Sequence, residues 1–318
     1  MSHFAVDVRV IESVRPHPNA DRLELASVEG LGYQMVVGKG EFNQGSKAIY
    51  IPLDAVLPDA LRDSLKLQRN RIKTVKLRGE ISQGLLVPLS AIPVGTDIAV
   101  ALGISKHDPD EHVGMGGGST MTLPAGLTMY DIENAERFQS DFQEILSGEY
   151  VVTEKLEGTN FCAVLDEDEV FHVCSRRHSL EESDSVWWHV AQKYNLRDTL
   201  SAIRAGMDGA THLALYGEVI GPRIQQNYYN LPEVELRVFD LKVNHRWASW
   251  SSLCEIQRRH FDHIQLVPEA IFNEDRSILA PNKLREGVVV RRRDDSPFGA
   301  CRLLKLKSKE YLLNEDAA

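Results

Sequence analysis

The stretch "EYVVTEKLEGTNFCAVL", Glu149–Leu165, sets two runs rich in branched residues around a short polar interruption. Such runs bounded by a glycine turn read as strands, so the stretch is predicted to be strand, turn, strand. Its middle places Lys155 between Glu154 and Glu157, with Gly158 three residues on. Lys155 is either a solvated cation at a strand edge or a nucleophile in a phosphate site. An amine attacks only when uncharged, and the reference pKa of lysine is about 10.4. A nucleophilic lysine therefore needs burial or nearby cations to lower that value.

The rest of the chain offers such neighbours. In "LLKLKSKEY" Lys305 and Lys307 alternate along a predicted strand and share one face. Two lysines on one face make a poor core but a good phosphate cradle. "LYGEVIG" puts Glu218 inside an apolar run, and "LREGVVVRR" puts Glu286 just before another. Carboxylates bordering buried strands are costly unless paired or metal-bound. A magnesium site uses one or two carboxylates plus substrate phosphates.

Around this constellation, residues 1–105 are β-rich, with short strands punctuated by Gly, Asn and Pro. About five strands in that length predict a small barrel of the oligonucleotide-binding (OB) type. Residues 106–122, with the glycine-rich "HDPDEHVGMGGGS", read as a linker. His107 and His112 there are expected to be solvated, not metal ligands. Residues 123–318 mix helix and strand. "DIENAERFQSDFQEIL", Asp131–Leu146, and "SDSVWWHVAQKYNLRDTLSAIR", Ser183–Arg204, each read as one amphipathic helix. Trp187 and Trp188 are expected in the core. Long antiparallel strands complete an α+β domain.

Composition narrows the classes. The chain has 318 residues, 43% of them hydrophobic and 26% charged, enough for two soluble domains. No run approaches the roughly 20 apolar residues of a membrane span, and "MSHFAVDVRV" lacks the pattern of a signal peptide. Four scattered cysteines without a CxxC pair exclude a zinc ribbon or disulfide scaffold and fit a reducing cytoplasm. The net charge of −10 discourages non-specific polyanion binding, so nucleic-acid contact must come from local patches. "KLQRNRIKTVKLR", Lys66–Arg78, has six cations and no acid, and "RRR" at 291–293 is a second cluster.

The order "EKLEGTN", "SRR", "YGEVIGPRIQ", "VFD", "EGVVVR", "LKLK" resembles the collinear motifs of the covalent nucleotidyltransferases, which include RNA and DNA ligases and mRNA capping enzymes. "EKLEGTNF" and "YGEVIGPRIQ" are most similar to the nick-sealing RNA ligases. The front end, from "IESVRPHPNADRLELASVEG" through "RIKTVKLRGEISQGLLVPL", resembles the amino-terminal OB module of Deinococcus-type RNA ligases. Its "HPNADRLEL" also resembles tRNA-binding OB modules. The resemblance implies a nucleotidyltransferase domain of the ATP-grasp-like ligase class, with ATP and Mg²⁺ or Mn²⁺ as cofactors.

It further implies that Lys155 attacks the α-phosphorus of ATP to give a lysyl-AMP, which passes AMP to a 5′-phosphate before a 3′-hydroxyl displaces it. By the same resemblance, Glu154 contacts the adenine, Gly158 forms the motif turn, and Asn160 binds a ribose hydroxyl. Arg176, with Arg177 as the alternative register, contacts ribose and substrate phosphate. Glu218 contacts ribose or metal, Phe239 stacks on adenine, and Glu286 lies near the metal. Lys305 and Lys307 bind phosphate. The motif turn reads KLEG where the family often has KxDG. The chain stops soon after "LKLKSKEY" and carries its OB-like module in front, which favours RNA ligase over DNA ligase or capping enzyme. The implied partner is nicked RNA or an RNA/DNA hybrid duplex, met by a monomer in RNA repair.

Overall fold

The computed structural model describes residues 4–89, 97–107, 120–127, 129–270, 284–293 and 303–314. These fall into two compact units. One draws on Ser2–Asp110, Glu133–Phe142 and Leu312–Ala318, the other on Glu111–Ile132 and Gln143–Tyr311.

The amino-terminal unit opens with β1 (Asp7–Pro16), β2 (Leu23–Val28), β3 (Gln34–Gly38), β4 (Lys47–Ile51) and the short β5 (Ala55–Val56). Helix α1 (Asp59–Ser64), β6 (Val75–Leu77), β7 (Glu80–Ser82), β8 (Leu85–Pro88), α2 (Ile98–Leu102) and β9 (Ser105–Lys106) follow. Five strands form an antiparallel sheet in the order β3-β2-β1-β4-β8. A bulge between Ile11 and Ser13 divides β1. Its first half pairs with β4 and its second with β2, which is how a bulge bends one strand around a barrel corner. β3 returns beside β7 and β8, nearly closing the predicted barrel. Ile11, Ala26, Val28, Met35 and Tyr50 fill its interior.

Next come β10 (Thr120–Thr122), β11 (Glu133–Asn134) and α3 (Gln139–Ser147). The sequence places the start of this helix at Asp131, but it begins at Gln139. The Asn134 side chain accepts from the Glu136 amide at 2.7 Å, a local turn that competes with helix. Glu133–Phe142 counts with the barrel unit. The Gly32 amide donates to the Glu136 carbonyl at 2.7 Å, and Arg137 reaches the Ala5 carbonyl at 3.4 Å.

The second unit contains β12 (Tyr150–Lys155), β13 (Thr159–Leu165), β14 (Phe171–Cys174), β15 (His178–Leu180), α4 (Val186–Lys193) and α5 (Leu196–Ala205). It continues with β16 (Leu213–Ile220), β17 (Glu235–Val243), β18 (Arg246–Trp247), α6 (Trp250–His260), β19 (Gly287–Arg292), β20 (Leu303–Lys307) and α7 (Lys309–Asn314), whose end counts with the first unit. The predicted single helix over 183–204 is two, because Asn195 takes a left-handed conformation (φ 47°) between α4 and α5. A seven-stranded sheet runs β10-β15-β14-β13-β16-β17-β18. Its core, with Phe161, Val173, Leu215, Leu236 and Trp187, lies against α4, α5 and α6. A second antiparallel sheet sets β19 between β12 and β20. The turn after Lys155 carries the chain from that sheet into β13 of the first, so Lys155 stands where the two sheets meet.

Cys162 and Cys174 face each other across β13 and β14 as free, buried thiols. No described helix is long and apolar enough to cross a membrane. His112, most of the glycine-rich stretch and Cys301 lie outside the described residues.

Candidate active site

Three strands bring the lysines together. In register across the second sheet, Lys155 faces Gly287, and Gly287 faces Lys307. Paired residues share a face, so the two lysines flank a strand position that has no side chain. A Cβ on Gly287 would crowd the Leu306 carbonyl and sit 2.9 Å from Lys307 Cα. The spacing of two that joins Lys305 to Lys307 adds the third lysine to that face.

Glu286 lies beneath them. Lys155 Nζ donates to its Oε1 at 2.6 Å, and Lys307 Nζ stands 3.4 Å from the same oxygen. Burial pushes the Glu286 carboxyl up, but Lys155, Lys307 and Lys305 outweigh it and hold the group below the ordinary carboxylate value. Burial, with Lys155 and Lys307 adding, lowers Lys305 to about 8.

Glu218 comes from the other sheet, opposite Asn160 in register. Burial, reinforced by Glu286, raises it to about 8 against the pull of Lys155 and Arg176. The turn between β12 and β13 packs directly on this strand. A Cβ on Gly158 would lie 2.8 Å from Glu218 Cγ and nearer still to the Val219 carbonyl. Gly158 is therefore required by close approach. Trp187 buries its ring in the core and donates from Nε1 to the Asn160 carbonyl at 2.9 Å, fixing β13 beside Glu218. Trp188 donates to the Leu180 carbonyl at 3.0 Å.

Arg176 pairs with Asp131 at 3.2 Å and acts electrostatically on Glu218, which ties this arginine to the lysine cluster. Phe239 occupies the bulge of β17, where Tyr216 pairs with Asp240 and Gly217 with Val238. Its half-buried ring packs against Tyr130, centroids 4.9 Å apart. Bulges re-aim side chains next to functional sites.

Sequence reasoning missed several partners. Arg285 donates to Glu154 Oε1 at 2.7 Å and lies 5.1 Å from the centroid of the Tyr229 ring. Adjacent residues Arg285 and Glu286 thus clasp adjacent residues Glu154 and Lys155. Burial raises Glu154 above its ordinary value, and Arg285 opposes the shift. Tyr229 accepts the Glu157 amide at 3.0 Å, and Tyr311 donates to Glu157 Oε1 at 3.4 Å. Burial foremost lifts Glu157 to about 7. The only hint of Arg285 in the sequence is its place before Glu286.

The expected "RRR" surface is corrected at Arg291 and Arg292, while Arg293 is exposed. Arg291 is 2% exposed, 3.6 Å from the fully buried Asp240, and donates to the Phe239 carbonyl at 3.0 Å. Arg292 pairs with Glu144. β19 is an inner strand, so its arginines are drawn into the fold.

No group of three or more His, Cys, Asp or Glu able to hold a metal occurs among the described residues. Glu218 and Glu286 nonetheless suit a divalent cation that shares substrate phosphates, because two carboxylates near enough for Glu286 to help hold Glu218 up at about 8 are the number such a site uses.

An RNA ligase family model matches residues 148–307, and an OB-fold domain model matches 5–89. The solved Naegleria gruberi RNA ligase with PPi is 25% identical, with a TM-score of 0.82, covering 99% of this chain and 100% of that one. A variant of that ligase with ATP and Mn is also 25% identical, with a TM-score of 0.81, covering 98% of each chain. Among curated proteins, the phenylalanine–tRNA ligase beta subunit of Halalkalibacterium halodurans is 38% identical over 84 residues, 25% of this chain. That of Geobacter sulfurreducens is 31% identical over 113 residues, 31% of this chain. These matches span 9% and 14% of those subunits. With its matched catalytic segment making up half the chain, and a solved RNA ligase similar along nearly all of it, the chain belongs to the RNA ligase family.

Proposed function

We propose that this protein is an ATP-dependent RNA ligase that seals a 3′-hydroxyl to a 5′-phosphate at nicks in duplex RNA or RNA/DNA hybrid. The observation that carries the reading is the row Lys155–Gly287–Lys307, with Glu286 against both lysines. Lys155 Nζ is the nucleophile at the α-phosphorus; its bond to phosphorus forms as the bond to the pyrophosphate oxygen breaks. AMP then moves to the 5′-phosphate, and attack by the 3′-hydroxyl releases it. Lys305, Lys307 and Arg176 neutralise phosphate oxygens, where charge stabilisation dominates such transfers. Glu154 contacts the adenine and Phe239 stacks on it, while Asn160 and Glu218 hold the ribose. Glu218 and Glu286 would hold Mg²⁺ or Mn²⁺, which when bound neutralises phosphate charge and competes with Lys155 for Glu286. The protein acts as a cytoplasmic monomer in RNA repair.

Intact-mass measurement after incubation with ATP and Mg²⁺ should show one AMP adduct, absent in Lys155→Ala and absent with GTP. A nicked RNA duplex should then be joined. An equal adduct on Lys155→Ala would sink the assignment.

A further inference from the structure

The motif "HPNAD" and the cations of Lys66–Arg78 meet in the amino-terminal unit at one hairpin, β6–β7. Its tip is Arg78–Gly79, with φ of 49° and 98°. Two positive-φ residues make the tight turn that matches strand twist, a place where Asn-Gly is preferred. An arginine there costs backbone energy that a turn alone does not require.

The hairpin is braced from both sides. Buried His17 accepts the Asn19 amide at Nδ1 (3.1 Å), which leaves its Nε2 to donate to the Leu77 carbonyl at 3.0 Å. Asn19 Nδ2 donates to the Arg78 carbonyl at 3.0 Å. On the other strand, Ser82 Oγ accepts the Val36 amide at 2.9 Å, and Gln34 Nε2 donates to Glu80 at 2.9 Å and to the Ile81 carbonyl at 3.2 Å. His17 and Asn19 of "HPNAD" are thus spent on holding a two-stranded finger.

The finger presents apolar and cationic side chains together. Val75 and Leu77 are 39% and 41% exposed on one face of β6. Lys76 and Arg78 are exposed, and neither side chain has a partner among the described residues. Two arginines in or beside that cationic run are neutralised: Arg71 by Asp54 at 2.5 Å, Arg62 by Asp59 and Asp63 at 2.7 Å. The cationic run is therefore not a uniform basic face.

We infer that the β6–β7 hairpin, held by His17 and Asn19, grips the backbone of duplex RNA, with Lys76 and Arg78 on phosphates and Val75 and Leu77 against ribose. This rests on the RNA-ligase reading. An A-form helix displays its sugars in a wide, shallow minor groove flanked by phosphates. A narrow rigid finger with apolar and cationic side chains complements that edge, and free cations in a chain of net charge −10 match a polyanion.

The test uses the full chain and a nicked RNA duplex, with affinity measured from 50 to 200 mM KCl. Lys76→Gln/Arg78→Gln should reduce the slope of log affinity against log salt by about 1.8, at ~0.9 per lost phosphate contact. Across that range wild type should then lose about twelvefold more affinity than the variant. Lysyl-AMP formation and melting temperature should not change. Asn19→Ala should give a slope between the two, and Lys39→Gln/Lys47→Gln, a matched charge change elsewhere on the barrel, the wild-type slope. A folded double variant with wild-type affinity and slope overturns the proposal, as does an equal effect of the control pair. A wild-type slope for Asn19→Ala overturns the bracing role. Loss of lysyl-AMP in wild type itself would instead refute the ligase reading, which the hairpin variants do not touch.

Discussion

Replacing Glu286 with Gln keeps the shape and removes one charge. At 2.6 Å, and with an effective dielectric of ~20, the Lys155–Glu286 attraction is about 6 kcal/mol before desolvation is subtracted. Breaking a buried pair by removing one partner costs about 3–5 kcal/mol. The Lys155 side chain is 23% exposed, so water recovers part of its solvation and the low end, about 3 kcal/mol, applies. That corresponds to about 6–12 °C in melting temperature at neutral pH. Glu286 is held below its ordinary 4.5 in the folded state. Its contribution is therefore complete above 4.5 and lost as pH falls through the lower folded value. The gap between wild type and Glu286→Gln, followed by calorimetry, should be widest near pH 7 and shrink steadily as pH falls below 4.5. Glu218 adds a second signature. Removing the like charge of Glu286 lets Glu218 ionise nearer neutrality and take over as a partner for Lys155. Glu218→Gln should therefore cost more in the Glu286→Gln background than in wild type. Equal melting temperatures at pH 7, or a gap that does not shrink as pH falls below 4.5, would refute the reasoning.

Gly158→Ala forces a Cβ to 2.8 Å from Glu218 Cγ, so the turn must shift; overpacking of about 1–3 kcal/mol and at least a tenfold slower lysyl-AMP formation are expected, read by melting and intact mass. Glu157 sits at about 7 when folded and 4.5 ordinarily, so its stabilising proton is fully present below 4.5 and lost as pH rises through 7. Glu157→Gln fixes the neutral form and should raise stability on the order of 1–3 kcal/mol at pH 8 and little at pH 4.5, measured by urea denaturation. Phe239→Ala should weaken ATP binding by about 1–3 kcal/mol if the ring stacks on adenine; a fall in melting temperature with ATP affinity unchanged would assign the ring to packing against Tyr130 instead.

The barrel and the lysine row were legible because both follow from alternation along strands. Lys305 and Lys307 share a face by spacing alone, and a turn glycine after Lys155 marks where one strand hands over to the next. Spacing says nothing about register between strands. It could not show that Gly287 separates Lys155 from Lys307, or that Arg285 would fall beside Glu154. Burial misled the reading of Arg291 and Arg292, because consecutive arginines look like a solvated face until β19 is known to be an inner strand. The helix expected from Asp131 failed for a local reason, the Asn134 turn, and the long helix over 183–204 broke where Asn195 accepts a left-handed backbone.

The charges at the site follow from what it must hold. Lys155, Lys305, Lys307 and Arg176 converge on Glu286, Glu218 and Asp131, and burial, with Glu286 adding, holds Glu218 up at about 8. The site is thus short of negative charge inside a chain that carries an excess of ten. Such a local deficit is what a polyphosphate would fill, and a phosphate group bound there would relieve lysine–lysine repulsion. Burial is the main cause of the lowered value of Lys305, and repulsion from Lys155 and Lys307 adds to it. An anion seated among these lysines should raise Lys305 again. On the proposed reading, the cations that repel one another across this site are the source of nucleotide affinity.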